Sequence, residues 1–151
     1  MALSDIRTSA GSKFYVTAAS PATYDAAGFA ALTFTEVQYV SNMGEFGGVN
    51  NLVTFNPLAT RITVKRKGAR SEGSIPLEMA RVPTDPGQAL LVAASNSDLS
   101  YSYKVEVQDG TIFYFSAQCM SYTNNVGGVD DIFMATATLE IDNTIIEVAA
   151  P

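Results

Sequence analysis

Strict alternation of apolar and polar side chains is the feature that most narrows what this chain can fold into. In residues 101–107, Tyr101, Tyr103, Val105 and Val107 alternate with Ser102, Lys104 and Glu106. A two-residue period puts one set on each face of an extended strand, so this segment predicts a half-buried β-strand. Asp109–Gly110 and the apolar run "TIFYFSA" (111–117) follow. Two apolar runs flanking Asp-Gly predict a tight hairpin, because Gly supplies the positive φ such turns need. The alternation returns in 133–142, with Phe133, Ala135, Ala137, Leu139 and Ile141 on one side and Met134, Thr136, Thr138, Glu140 and Asp142 on the other. Shorter pieces agree: Thr35/Val37/Tyr39, Ile62/Val64 and Ile75/Leu77/Met79, with "KFYVTA" (13–18) and "TIIEV" (144–148) near the ends. Seven or eight strands in one chain predict a mainly-β sandwich or barrel.

One segment breaks the pattern. "TDPGQALLVAASN" (84–96) reads as a helix with Asp85 as N-cap, Pro86 at its first position and Gln88 at its third. Leu90, Leu91 and Ala94 give it one apolar face. So short a helix draws its stability from tertiary packing, which predicts that it lies across an open edge or face of the sheet.

With 151 residues the chain predicts one domain over 1–151, and 47% hydrophobic residues are enough for a core. Only 16% of residues are charged, against about 25% in soluble domains generally. That deficit fits a surface buried against something else, and equally a β-rich protein with many Thr, Ser and Asn. A single cysteine, Cys119, excludes an internal disulfide, and its apolar setting reads as a small core residue. The N-terminal "MALSDIRTSAGS" lacks the apolar stretch of a secretory signal, and no run approaches the roughly 18 apolar residues of a membrane span.

Catalytic chemistry finds little support. There is no His, which removes the commonest general base and metal ligand. Asp130–Asp131 is the only adjacent acid pair, and no calcium-loop spacing surrounds it. Fifteen acids allow many spatial pairs of the glycosidase kind, but no spacing selects one. Phosphate-loop, nucleophile-elbow and dinucleotide motifs are missing from the sequence. The expectation is a protein that is not an enzyme and holds neither metal nor cofactor.

Charge is the informative quantity. "RITVKRKGAR" (61–70) carries five of the nine basic residues and no acid, so it sums to +5 while the rest of the chain sums to −11. Ile62 and Val64 alternate with Arg61, Thr63 and Lys65, which reads as a strand running into a turn at "RKGARSEG", with "SIPLEMA" (74–80) as the return strand. Positive charge on a hairpin can simply keep a sheet edge soluble. Nucleic-acid binding would use the same side chains on phosphates, but the acidic remainder opposes it and no aromatic residue interleaves them as a stacking platform. Self-association is the third reading: a cationic loop and an acidic body are complementary, and such heterologous contacts build rings or filaments. Two Gly-rich segments, "GEFGGVNN" (44–51) and "NNVGGVDD" (124–131), are expected to stay mobile or be ordered by a partner.

Four segments, "PATYDAAGFAALTFTEVQYVSNMGEFG" (21–47), "TVKRKGARSEGSIPLEMAR" (63–81), "DPGQALLVAA" (85–94) and "YKVEVQDGTIFYFSAQ" (103–118), occur in an order that resembles the major tail tube protein of long, flexible-tailed bacteriophages. The likeness spans about residues 10–148. It implies a β-sandwich or barrel flanked by one helix, assembled into hexameric rings that stack into a hollow tube through which the genome passes. It also implies that a long hairpin loop, here 44–73, and terminal arms, here 1–12 at the N-terminus, make inter-subunit contacts and are disordered before assembly. The expected contact residues are Glu45, Phe46, Arg61, Lys65, Arg66, Lys67 and Arg70. The implied partners are the chain itself and tape-measure, tail terminator and baseplate proteins, with transient non-specific passage of DNA, no membrane, and a place in the virion after assembly in the host cytoplasm.

Six copies at −6 each would carry −36 formal charges, a wall that repels phosphates. Lumen-facing candidates are the polar strand positions Glu36, Gln38, Glu106, Gln108, Thr136, Thr138 and Glu140, while the basic residues are expected to point at neighbouring subunits or outward. A type VI-like secretion tube shares the architecture. A monomeric β-sandwich binding module, such as a carbohydrate binder, is the competing class, weakened by the absence of Trp.

Overall fold

The structure is a computed structural model in which residues 3–150 are described; of the N-terminal arm expected over 1–12, residues 1–2 lie outside that range. Ten strands form: β1 (Lys13–Thr17), β2 (Thr35–Val37), β3 (Val40–Asn42), β4 (Val49–Phe55), β5 (Val64–Ser71), β6 (Ser74–Ala80), β7 (Tyr101–Glu106), β8 (Ile112–Asn125), β9 (Met134–Ile141) and β10 (Ile146–Val148). Among the described residues two α-helices, α1 (Ala26–Ala30) and α2 (Pro86–Ser95), and a 3-10 turn at Leu3–Asp5 accompany them. The mainly-β expectation holds, with more strands than the alternation showed.

Strand order forces the main sheet to curl. Its path runs β2-β1-β7-β8-β9-β6-β3, with β10 paired to β8 beyond the end of β9. The two terminal strands, β2 and β3, are separated in sequence by Gln38 and Tyr39 alone. A two-residue link spans less than 10 Å or so, so the sheet's two edges must meet and the strands enclose a barrel-like core. The corner is made by Tyr39, whose φ of 65° is left-handed. That geometry turns Tyr39 out to solvent, 56% exposed, where alternation placed it on the inner face with Val37.

The alternating residues fill the interior. Phe14, Val16, Ile75, Leu77, Met79, Tyr103, Phe115, Ala137 and Leu139 are fully buried. Each large apolar side chain removed from water in this way contributes about 1.5–3 kcal/mol. Tyr103 stacks on Phe115 with ring centroids 5.6 Å apart. Cys119 lies in the same core, and burial pushes its thiol pKa up, as expected of an inert packing residue.

A strap over 20–34 covers the opposite face of β8. Asp25 caps α1 by accepting the Gly28 N–H at 2.7 Å, and this contact holds its carboxyl below the usual range. Phe29, wholly buried, stacks on Tyr114 at 5.3 Å. The Tyr24 hydroxyl donates to the Thr144 carbonyl at 2.7 Å and accepts the Ser116 N–H at 3.2 Å, fastening the strap to the sheet.

The α2 N-terminus closes the barrel seam. Asp85 caps it as expected, its Oδ2 accepting N–H groups from Gln88 at 3.1 Å and from Gln38 at 3.3 Å. Gln88 does not reach back in a capping box. Its amide is completely buried and ties α2 to two chain segments: Nε2 donates to the Gln38 carbonyl at 3.2 Å and the Ala80 carbonyl at 2.8 Å, while Oε1 accepts the Val82 N–H at 2.9 Å. Gly87 permits this approach, since a Cβ there would lie 2.3 Å from the Glu36 carbonyl oxygen.

Gln88→Leu keeps the volume and strands at least two buried backbone groups, so it should cost about 2 kcal/mol or more and lower Tm by roughly 4–8 °C. Gln88→Glu should be no better, because it places carboxylate oxygens against two carbonyls. Thermal unfolding of the two variants checks this; a wild-type Tm for Gln88→Leu would remove the seam role.

Candidate assembly surface

The basic segment folds differently from its expected turn. Residues 64–71 continue as strand β5 and pair with β4, not with β6, in the register Val49↔Ser71, Asn50↔Arg70, Leu52↔Lys67, Val53↔Arg66, Thr54↔Lys65 and Phe55↔Val64. The true turn is 56–63, held by the Thr63 hydroxyl donating to Asn56 Oδ1 at 2.7 Å. Ile62, expected to face inward, is exposed there. The cause lies in the long range: β3 pairs with β6 and Gly47 N–H donates to the Glu72 carbonyl, so 40–55 and 64–80 run as one long hairpin. Its outer half leaves the barrel as the two-stranded ribbon β4–β5.

The ribbon is two-faced. Cross-strand partners share a face, so Val49, Val53, Phe55, Val64 and Arg66 line one side, and Asn50, Leu52, Thr54, Lys65, Lys67 and Arg70 the other. Residues 49–71 contain five basic side chains and no acid. Val53 and Phe55 remain 53% and 66% exposed, and Leu58 at the tip is fully so. A lone two-stranded ribbon is marginal in water, and an exposed apolar strip of this kind marks an interaction surface.

The seven expected contact residues divide by position. Arg61, Lys65, Arg66 and Lys67 lie exposed on the ribbon, and Glu45 is exposed near its base. Phe46 turns inward and packs edge-on against Phe113 at 5.3 Å. Arg70 is engaged within its own chain: its Nε lies 2.8 Å from Glu72 Oε1, the one side-chain ion pair among the described residues, and the Glu72 side chain is 9% exposed. The guanidinium rests over Gly48, where a Cβ would come within 2.2 Å of Nη2. Arg70, Glu72 and Gly48 thus fix the ribbon at the point where it leaves the barrel.

Of the expected lumen residues, Glu36, Glu106, Thr136, Thr138 and Glu140 all lie on the outer face of the main sheet, opposite Val37, Val105, Ala137 and Leu139. Gln38 and Gln108 fall just beyond strand ends. The strap over Tyr114 divides this face. On one side Glu36 and Glu106 share it with Lys13 and with Lys104, whose Nζ sits 4.7 Å over the Tyr15 ring. On the other, Thr136 pairs with Thr123 and Glu78, Thr138 with Ser121 and Pro76, and Glu140 with Gln118 and Ser74. That second patch holds hydroxyls and acids and no Lys or Arg. The sequence missed the split because the lysines and the strap come from segments remote in the chain.

Among the described residues no group of three or more His, Cys, Asp or Glu could hold a metal, and no helix is long and apolar enough to cross a membrane.

No protein-family model matches the chain, and no curated protein matches it. Solved structures do match it in shape. A chain from an extracellular contractile injection system, described as the PVC sheath/tube terminator in the extended state, superposes with a TM-score of 0.68 at 13% identity, covering 98% of this chain and 100% of that one. The fold is tail-tube-like. A chain of the anti-feeding prophage baseplate gives 0.64 at 9% identity over 91% of each chain. The SPP1 tail tube gives 0.59 at 13% identity, covering 90% of this chain and 75% of that one.

If Arg70 anchors the ribbon, Arg70→Ala should leave the barrel's Tm nearly unchanged while the cross-strand hydrogen-bonded amides of β4 and β5 exchange roughly five-fold faster, the equivalent of about 1 kcal/mol. Hydrogen exchange at residue resolution decides it, and unchanged ribbon protection would count against the anchor.

Proposed function

We propose that the protein is a non-enzymatic structural subunit that self-assembles into hexameric rings stacked as a hollow phage tail tube, the conduit for DNA ejection. The observation that carries this reading is the two-faced ribbon, an apolar and cationic arm on an otherwise acidic chain, whose Val53, Phe55 and Leu58 stay exposed among the described residues. The likeness in fold to the SPP1 tail tube, and to chains of two injection machines, supports it. One of those assemblies is six-fold symmetrised.

The mechanism is mechanical. Ribbon residues Arg61, Lys65, Arg66 and Lys67 meet acidic surface on a neighbouring copy while Val53, Phe55 and Leu58 leave water, and many such contacts add along a tube. Phe46 and Arg70 act at the base, holding the arm in position. The hydroxyl- and acid-lined patch of Thr123, Thr136, Ser121, Thr138, Glu78 and Glu140 faces the channel in this arrangement. A surface of that sign repels phosphates, so DNA slides; lysines and arginines there would hold it by counterion release. Tape-measure, terminator and baseplate proteins are the partners such a tube requires, and the virion tail is its place.

A second reading, the tube subunit of a secretion or injection apparatus, draws on the likeness to the two contractile systems. It keeps the same contacts and changes only what passes down the channel.

Purified protein at high concentration should form rings or tubes with a central hole in negative-stain images. The triple variant Lys65→Glu/Arg66→Glu/Lys67→Glu should fold with an unchanged circular dichroism spectrum and remain unassembled. Strictly separate globular particles from the wild type would point to a monomeric binding module, and normal tubes from the variant would remove the role of the cationic ribbon.

A further inference from the structure

The ribbon emerges at one end of β6, next to Ser74, and a second hairpin overshoots the barrel at the other end. β9 pairs with β6 from Glu140↔Ser74 to Met134↔Ala80, so the β8–β9 turn at 126–133 lies just past Ala80. Seven strand residues separate the two ends, a rise of roughly 20 Å. This second tip is also apolar: Val126, Val129 and Ile132 are 67%, 100% and 71% exposed. Asp131 organises it, its Oδ2 accepting the Gly128 N–H at 2.8 Å while its own N–H donates to the Gly128 carbonyl at 3.2 Å. Asp130 is left exposed, without an ion-pair partner among the described residues. Residues 118–133 hold these two acids and no Lys or Arg.

We propose that the β8–β9 tip, through Val126, Val129, Ile132 and Asp130, is the docking surface for the β4–β5 ribbon of a second copy of this chain. The inference rests on the self-assembling reading and names the acceptor that reading leaves open. Three observations select a second copy as occupant. The tip is apolar and acidic where the ribbon is apolar and cationic, so each supplies what the other lacks. The two elements sit at opposite ends of β6, which separates one copy's tip from its own ribbon base. A contact between different patches at opposite ends is heterologous and propagates head to tail, as an open filament requires.

The test uses the full chain. Two preparations, Val129→Cys and Leu58→Cys, carrying tags of different mass, are mixed under assembly conditions and oxidised; native Cys119 is buried and serves as its own control when wild type is treated alone. A disulfide between the two preparations is expected, with little from either alone. In parallel, Val129→Lys/Asp130→Lys should raise the concentration needed for assembly at least ten-fold, whereas Met120→Lys, an exposed apolar residue outside the tip, should not. If the wild type assembles while no mixed disulfide forms and Val129→Lys/Asp130→Lys assembles normally, the acceptor is wrong and the tube reading stands. If the wild type never assembles, both fall.

Discussion

The whole architecture depends on closing one seam. Because β2 and β3 are consecutive in the chain yet occupy opposite ends of the sheet, Gln38 and Tyr39 oblige the sheet to curl, and the exposed backbone at that corner must find partners. The buried Gln88 amide supplies them, holding the carbonyls of Gln38 and Ala80 and the N–H of Val82 at once. A side chain that satisfies three backbone groups outside its own helix belongs to the barrel more than to that helix. It explains why α2 is needed although its apolar face is small, and why Gly87 must come so close to β2.

Closure also decides which strands protrude. Inside the barrel, β1, β7, β8, β9 and β6 are each paired on both sides, and α2 packs against β2. The two hairpins that overshoot, 49–71 at one end and 126–133 at the other, keep large apolar side chains exposed. In the proposed assembly these two ends are complementary, and a second copy of the chain would bury what each leaves exposed. The Arg70–Glu72 pair at the base makes the longer arm a directed projection, because one charge of the pair is nearly buried and the other lies across Gly48.

Electrostatics then divides the labour. Five of the nine basic side chains sit on the arm, and none of the other four lies on the outer sheet face beyond the strap, which is lined by hydroxyls and acids. In the proposed tube, a polyanion moving past such a face would meet no cationic site at which to pause.

The sequence by itself determined the β class, the inner residues of β6, β7 and β9, the N-cap of α2, and the concentration of charge in 61–70. Each follows from a local rule: a two-residue period, a capping side chain, a count. It misplaced the turn of the basic hairpin and the partner of β5, and it put Ile62 and Tyr39 inside. Pairing is settled between residues far apart in the chain, and a strand that alternates equally well in either register carries no record of its partner. Gln88 looked like one end of a capping box because its three acceptors and donors come from 38, 80 and 82, which only the closed sheet brings together. The two-faced ribbon, the apolar tip at the opposite end and the divided outer face were decided by the tertiary structure alone, since which side of a strand meets water depends on what the rest of the chain has already covered.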